Sequence, residues 1–326
     1  MDRLPALDRR LLDEFQRDLP LVPRPFAEMA AVLAVSEAEV LARLTALQAA
    51  GTIARVGATV RPNTAGASTL AALAVPEARV DEVAALVGAE PGVNHSYLRE
   101  DAWNLWFVAT APDAGGLAAS LQRIGAKTGL RVLDLPLLRA FNIDLGFRLG
   151  GARAALGLDA GADETALREG DRPLLQALSK GLPLVARPFA QVAQDLGWPE
   201  AAVIARVRAL AAARILTRVG VIVRHRAIGW AANAMVVWQV PEDRIASAGA
   251  ALAAHPGVTL CYQRRTVPGL WPYSLFSMIH GQSRAQALAV LAEAAALPDL
   301  ADLPHRPLFS TRCFKQTGAL LHPEAA

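Results

Sequence analysis

The sequence predicts an α+β protein that is a tandem duplication, each half a winged helix-turn-helix followed by a ferredoxin-like (βαββαβ) module. Three observations predict it. Leu19-Pro20-Leu21-Val22-Pro23-Arg24-Pro25-Phe26-Ala27 recurs as Leu182-Pro183-Leu184-Val185-Ala186-Arg187-Pro188-Phe189-Ala190, an offset of 163. Apolar residues at helical spacing fill the first part of each half, and short strand-like and helix-like stretches alternate through the rest. The register continues from Arg55-Val56-Gly57 to Arg218-Val219-Gly220, then slips by two, so that Val75-Pro76-Glu77 meets Val240-Pro241-Glu242 and Tyr97 and Arg99 meet Tyr262 and Arg264. Near the ends, Leu135-Pro136 and Phe141 align with Leu303-Pro304 and Phe309, an offset of 168. The expected layout is winged modules at 1–66 and 171–229, ferredoxin-like modules at 67–149 and 230–326, and a Gly/Ala-rich linker at 150–170.

Taken in order, Leu7, Leu11, Leu12 and Phe15 mark a first helix, and a second begins after Pro25, a residue suited to a first helical turn. A third starts at Ser36 with Glu39 three positions on, a capping box, puts Val40, Leu44 and Leu47 on one face, and stops at Gly51. Ile53 to Val60 alternates around Gly57 and is expected to be a small hairpin, the wing. Thr69–Val75 is then a strand, Ala78–Val87 a helix, Gly92–Tyr97 and Leu105–Thr110 two strands, Gly115–Thr128 a helix and Arg131–Leu138 a last strand. Such a sheet leaves one face and one edge free, so the fused copies are expected to pair as an intramolecular pseudo-dimer.

The composition narrows the function. With 326 residues, 53% hydrophobic and 19% charged, the chain is globular, and no apolar run approaches the roughly 20 residues that cross a bilayer. The N-terminus lacks the basic-then-apolar layout of an export signal, so a cytoplasmic protein without a membrane partner is expected. Cys261 and Cys313 are too few for a disulfide framework or a thiolate metal site and read as ordinary thiols. Of 33 basic residues only Lys127, Lys180 and Lys315 are lysine. Arginine in such excess suits the gripping of a polyacid, and a GC-rich genome would produce the same bias. The face of the third helix offers Glu37, Ala38, Glu39, Ala42 and Thr45 with Arg43 its one basic residue, and the equivalent helix adds Arg206 and Arg208 among alanines. Neither suits the reading of DNA, so a nucleic-acid partner is not expected.

Chemistry-bearing residues gather about the ferredoxin-like modules. His95, His225 and His280 lie beside arginines, whereas His255, His305 and His322 read as structural. Arg61, Arg99, Arg224, Arg226, Arg264 and Arg265 sit where wing meets sheet or strand meets strand, and the adjacent Arg264 and Arg265 read as a carboxylate clamp or, on the plainer view, as solvated surface. Tyr97 and Tyr262 occupy equivalent places, which favours a hydrogen-bonding role. Trp106 reads as core, while Trp103, Trp230 and Trp271 fit either packing or the wall of a flat ligand. There is no Gly-rich phosphate loop, dinucleotide fingerprint or metal motif.

The organisation resembles the Lrp/AsnC family, in which a winged helix-turn-helix precedes a ferredoxin-like ligand-binding module. It is more similar still to the siroheme decarboxylases of that superfamily, in their fused two-repeat form. The segments that carry the resemblance are Leu-Pro-Leu-Val-Pro-Arg-Pro-Phe, His95-Ser96-Tyr97-Leu98-Arg99 with Trp103-Asn104-Leu105-Trp106-Phe107, Arg224-His225-Arg226, Cys261-Tyr262-Gln263-Arg264-Arg265, Met278-Ile279-His280-Gly281 and Ser310-Thr311-Arg312-Cys313-Phe314-Lys315. The resemblance implies loss of acetate carboxylates from siroheme to give 12,18-didecarboxysiroheme, in the heme d1 or the alternative heme pathway. No added cofactor is implied, since the conjugated ring is its own electron sink and siroheme carries its own iron. Expected partners are siroheme, its product and other heme-pathway proteins. His225 is expected to deliver the proton with His95 as its counterpart, and Arg61, Tyr97, Arg99, Arg224, Arg226, Tyr262, Arg264, Arg265 and His280 to hold the substrate, although an imidazole could instead ligate its iron. Because Pro62 stands where the second repeat has His225, one competent and one degenerate site are expected. A ligand-responsive transcription regulator and a non-catalytic tetrapyrrole carrier are the alternatives, told apart by DNA binding and by turnover.

Overall fold

The computed structural model describes residues 4–142 and 161–322. The first repeat runs α1 (Ala6–Glu14), α2 (Pro25–Leu33), α3 (Glu37–Ala49), β1 (Ile53–Val60), β2 (Ala67–Leu73), α4 (Val80–Gly88), β3 (Val93–Arg99), β4 (Leu105–Ala111), α5 (Ala114–Thr128) and β5 (Leu133–Asn142). The second runs α6 (Asp171–Lys180), α7 (Pro188–Leu196), α8 (Glu200–Ala212), β6 (Leu216–Val223), β7 (Ala232–Trp238), α9 (Ile245–Ala254), β8 (Val258–Arg264), β9 (Leu275–Gly281), α10 (Arg284–Ala295) and β10 (His305–Gln316). The expected local signals act where the sequence places them. Ser36 Oγ accepts the Glu39 amide at 3.2 Å, and Pro25 and Pro188 open α2 and α7. Asp113 caps α5 through the Gly116 amide at 2.7 Å, and Gly129 closes that helix at φ 68°.

The expected wing hairpin is not formed. Ile53–Val60 is one continuous strand, and its antiparallel partner is β6 of the other repeat, with Gly57 opposite Gly220 on a pseudo-two-fold axis. The reason is close backbone approach rather than a turn: a Cβ on Gly57 would lie 2.5 Å from the Leu178 carbonyl, and one on Gly220 2.4 Å from that of Gln16. The chain ends of α1 and α6 lie directly on these strands, where the Leu19 amide donates to Val219 O (3.2 Å) and the Leu182 amide to Val56 O (2.7 Å). The helices of both repeats therefore share one core, in which Leu11, Phe26 and Leu44 pack with Leu174, Phe189 and Val207.

The two ferredoxin-like modules fuse into a closed barrel in the order β10-β3-β4-β2-β5-β8-β9-β7, every pair antiparallel. Closure depends on two strands that change partners midway. β5 leaves β2 at Pro136 and pairs β8 from Leu137, while β10 leaves β7 at Phe309 and pairs β3 from Ser310. Thr69 faces Pro136 as Ala234 faces Phe309, which sets the offset of these last strands at 173 and corrects the value of 168 drawn from the Leu-Pro pairs. Phe141 thus corresponds to Phe314, each under an arginine, Arg139 and Arg312. The barrel interior is filled by Trp106, Trp271, Phe276, Leu133, Leu135 and Leu308, so Trp106 and Trp271 are core; α4 and α5 cover one outer face, and α9 and α10 the other.

Of the expected linker 150–170, residues 150–160 lie outside the described residues. The remainder is packed lead-in to α6: Ala162, Ala166 and Leu167 contact the helical core, and the Asp163 amide donates to Ala213 O at 2.9 Å. The glycine contacts set a stability test. Gly220→Ala drives a methyl into the Gln16 carbonyl and is expected to cost about 1–3 kcal/mol in a urea melt. Gly88→Ala, at a position with nothing within 4 Å, is expected to be neutral or stabilising by up to about 1 kcal/mol.

Candidate functional site

β3 carries His95, Tyr97 and Arg99 on alternate positions, so all three side chains leave the same face of the barrel wall. Opposite them, the partner change of β10 brings Cys313 beside Tyr97 and Ser310 beside Arg99. The turn after β6, which begins at His225, adds Arg224 and Arg226; the His225 side chain lies outside the described residues. From below, β1 contributes Arg55, whose charge acts on His95. Both repeats thus build one cationic cluster.

Three arginines of this cluster hydrogen-bond to neutral oxygens. Arg99 Nη1 donates to Leu308 O (3.0 Å) and Asn233 Oδ1 (3.3 Å), Arg226 Nη2 to Ser310 O (2.6 Å) and Oγ (3.2 Å), and Arg55 Nη2 to Ala58 O (3.3 Å). The Nε atoms of Arg55, Arg99 and Arg224 are buried without a partner. Elsewhere the chain neutralises its buried acids with arginine, as in Arg206–Asp171 and Arg123–Glu90. Guanidinium charge left uncompensated in a partly dry site favours an anionic ligand.

The electrostatics follow. Burial, then Tyr97 opposing and Arg226 adding, brings Arg99 down to about 10. Burial first, with the neighbouring Cys313, pushes Tyr97 up to about 12, so its hydroxyl stays protonated. Burial raises the Cys313 thiol, against the pull of Arg226, Tyr97 and Arg224. Burial and then Arg55 depress His95 to about 4. With Nδ1 donating to Asn94 Oδ1 at 2.8 Å, Nε2 of His95 is the nitrogen left to exchange a proton.

His280, expected to contact substrate, lies between Asn233 of β7 and Thr259 of β8. Arg99 has no acceptor, so Asn233 must turn Oδ1 toward it and Nδ2 toward His280. His280 Nε2 (2.8 Å) is then the acceptor, and Nδ1–H donates to Thr259 Oγ1 (2.9 Å). The imidazole supports Arg99 through Asn233.

The remaining predicted residues form no second copy of this cluster. Arg264 donates to Leu135 O (2.9 Å) and lies over the Tyr262 ring (5.4 Å), repeating Arg99 on Leu308 and over Tyr97, and burial brings it to about 10. Arg265, expected to form a clamp with Arg264, is exposed and paired to Asp134 (3.3 Å), whose charge also acts on Arg264. Arg61 donates to Arg214 O (3.1 Å) at the far end of β1. Arg43 is held by Asp8 and Arg206 by Asp171, so Arg206 is buried rather than displayed on the exposed face of its helix. Sequence reasoning missed Arg55, Asn233 and the place of Cys313. The signal for Arg55 was an arginine repeated within an apolar strand as Arg-Val-Gly in both halves. A cleft of about 910 Å³ lined by Gln176, Lys180, Gln191 and Asp195 lies on the helical layer and holds none of these residues.

Comparison with known proteins gives the same division of the chain. The AsnC-like ligand binding domain family matches residues 65–142 and 227–315, and the siroheme decarboxylase NirDL-like HTH domain family matches 8–53 and 171–216. The chain is 68% identical to the siroheme decarboxylase NirDL subunit of Paracoccus denitrificans (strain Pd 1222), over 98% of each chain. It is 55% identical to the siroheme decarboxylase NirD subunit of Stutzerimonas stutzeri, over 44% of this chain and 95% of that one. A crystal structure of the siroheme decarboxylase NirDL in co-complex with an iron-uroporphyrin III analogue superposes with a TM-score of 0.65 at 28% identity, covering 96% of this chain and 92% of that one.

The His95 environment is checked by NMR titration. The imidazole is expected to stay neutral down to about pH 5 and titrate near 4, and Arg55→Leu to raise that midpoint. Because the unfolded imidazole titrates at its ordinary 6.5, this group removes stability as the pH falls from 6.5 toward 4, and none as the pH rises above 6.5.

Proposed function

The chain belongs to the siroheme decarboxylase family, and from that premise we propose that the cluster around His95, Tyr97 and Arg99 is where it removes acetate carboxylates from siroheme. The protein is a carbon–carbon lyase acting on siroheme, and the product is 12,18-didecarboxysiroheme. The observation that carries the site is a set of four arginines, Arg55, Arg99, Arg224 and Arg226, near one imidazole and one phenol, of which Arg55, Arg99 and Arg226 hydrogen-bond to neutral oxygens.

Each turn converts R–CH2–COO⁻ and one proton into R–CH3 and carbon dioxide. The bond to the carboxylate carbon breaks, its electron pair passes into the conjugated ring of the substrate, and the pair returns to form a C–H bond. The macrocycle is the electron sink, so no pyridoxal, thiamine or flavin is needed. The protein has two tasks: to fix the carboxylates and to supply the proton.

Arg99, Arg224 and Arg226 hold the rim carboxylates through charge-assisted hydrogen bonds, with Arg99 braced by the Asn233–His280–Thr259 chain. His95 delivers the proton from Nε2, and Tyr97, a neutral donor throughout the working range, orients the departing carboxylate. His225, between Arg224 and Arg226, is the second candidate for delivery. Tyr262, Arg264 and Arg265 of the second repeat and Arg61 of the first belong to the degenerate site, where Leu260 and Pro62 stand in place of His95 and His225. The chain works in the cytoplasm as an intramolecular pseudo-dimer, one polypeptide holding two halves of which relatives such as the NirD subunit match one.

Anaerobic incubation with siroheme is expected to give a product lighter by two carbon dioxide units without added cofactor; unchanged siroheme would sink the reading. His95→Ala is expected to lower kcat about 100-fold or more with little change in KM. Arg99→Leu is expected to raise KM by roughly 10- to 100-fold, the loss of about 1.5–3 kcal/mol of charged hydrogen bonding. If His225→Ala abolishes turnover while His95→Ala spares it, the donor is His225.

A further inference from the structure

We propose that Arg55, on the strand the winged module contributes, is a positioning residue that couples capture of a substrate carboxylate to protonation of His95, so that the acid is loaded only when substrate is seated. The inference rests on the preceding assignment of the site and adds to it a residue and a proton-uptake step.

The geometry carries it. Arg55 is largely buried, its Nε–H has no partner, and its one recorded hydrogen bond is long, 3.3 Å to Ala58 O. β1 cannot relax to bring the side chain to water, because Gly57 and Gly181 pack backbone against backbone beside it, and the aliphatic stem of Arg55 lies against both. A guanidinium so held is incomplete until an anion arrives.

The groups that act on or adjoin His95 are Arg55 from β1, Asn94 and Tyr97 from β3, and Gln316 opposite it on β10, with uncharged Val108 across the β4 pairing. In the empty site these are one cation, a neutral phenol and uncharged groups, and an imidazolium would be a second buried positive charge beside Arg55. A carboxylate seated on the free Nε–H of Arg55 cancels that charge and sets an anion near the imidazole, which then gains a proton from solvent at Nε2. That proton ends on the new methyl group as carbon dioxide leaves. His95 returns to the neutral form, and the balance of one proton consumed per carboxylate is kept. An empty or product-bearing pocket holds no stray acid.

The test is calorimetric titration of iron-uroporphyrin III into the full chain at pH 7 in phosphate and in Tris, whose different ionisation enthalpies report proton exchange. Uptake of about one proton per molecule bound is expected. It should vanish in His95→Gln, shrink in Arg55→Met with affinity weakened about tenfold, and return in Arg55→Lys. In the unaltered protein affinity should fall as the pH rises from 6 to 8, by up to about tenfold per unit, and His95→Gln should flatten that dependence. Binding without proton exchange, or uptake that survives His95→Gln, overturns the coupling and leaves the site standing. Failure of the unaltered chain to bind iron-uroporphyrin III overturns the site assignment itself.

Discussion

The site depends on one event in the backbone, the change of partner by β10 between Phe309 and Ser310. Up to Phe309 the strand belongs to its own sheet; beyond it, the same strand is the wall of the other repeat. That crossing places the Leu308 carbonyl under Arg99, Ser310 against Arg226 and Cys313 against Tyr97. A strand cannot slip in such a position, because a shift of one residue would turn every side chain to the opposite face and remove the carbonyl that holds Arg99. The filled interior of Trp106, Trp271 and Phe276 fixes the two sheets around the crossing.

Much of this was readable in the sequence, and the reasons for the rest are physical. The duplication, the capped third helix and all six elements of each βαββαβ unit follow from short-range patterns: Ser36 and Glu39, Pro25, the alternation in Leu105–Ala111. What failed were the wing hairpin and the alignment of the last strands, both decided by the partner of a strand. Gly57 reads equally well as a turn or as a close approach, and only the opposing Gly220 and the Leu178 carbonyl settle which. The end of the duplication was misaligned because Leu-Pro recurs by chance near a register that hydrogen bonding sets five residues away.

The same division holds at the site. Tyr97 and Arg99 could be picked out with Tyr262 and Arg264 because they recur, and His95 because it does not. Arg264 and Arg265 looked like a pair because they are adjacent, whereas the structure gives one to Leu135 and the other to Asp134. His280 stands out as a rare histidine beside arginines, and its hydrogen bonds to Asn233 and Thr259, which connect it to Arg99, depend on strand pairing that no local pattern shows. Arg55 escaped notice because its importance lies in a hydrogen bond it does not make.

Tyr97 and Arg99 come from one half of the polypeptide, Arg226 and Cys313 from the other. Were the halves separate chains, this arrangement would exist only while they were associated, and its amount would fall on dilution by mass action. Joined covalently, each half meets its complement at an effective concentration independent of expression level, and pairing of like with like cannot compete within the chain. The two halves are thereby released from having to recognise each other against their own copies. One of the two pseudo-equivalent sites can then carry Leu260 and Pro62, contributed by different halves, where the other carries His95 and His225, without any loss of correctly assembled protein.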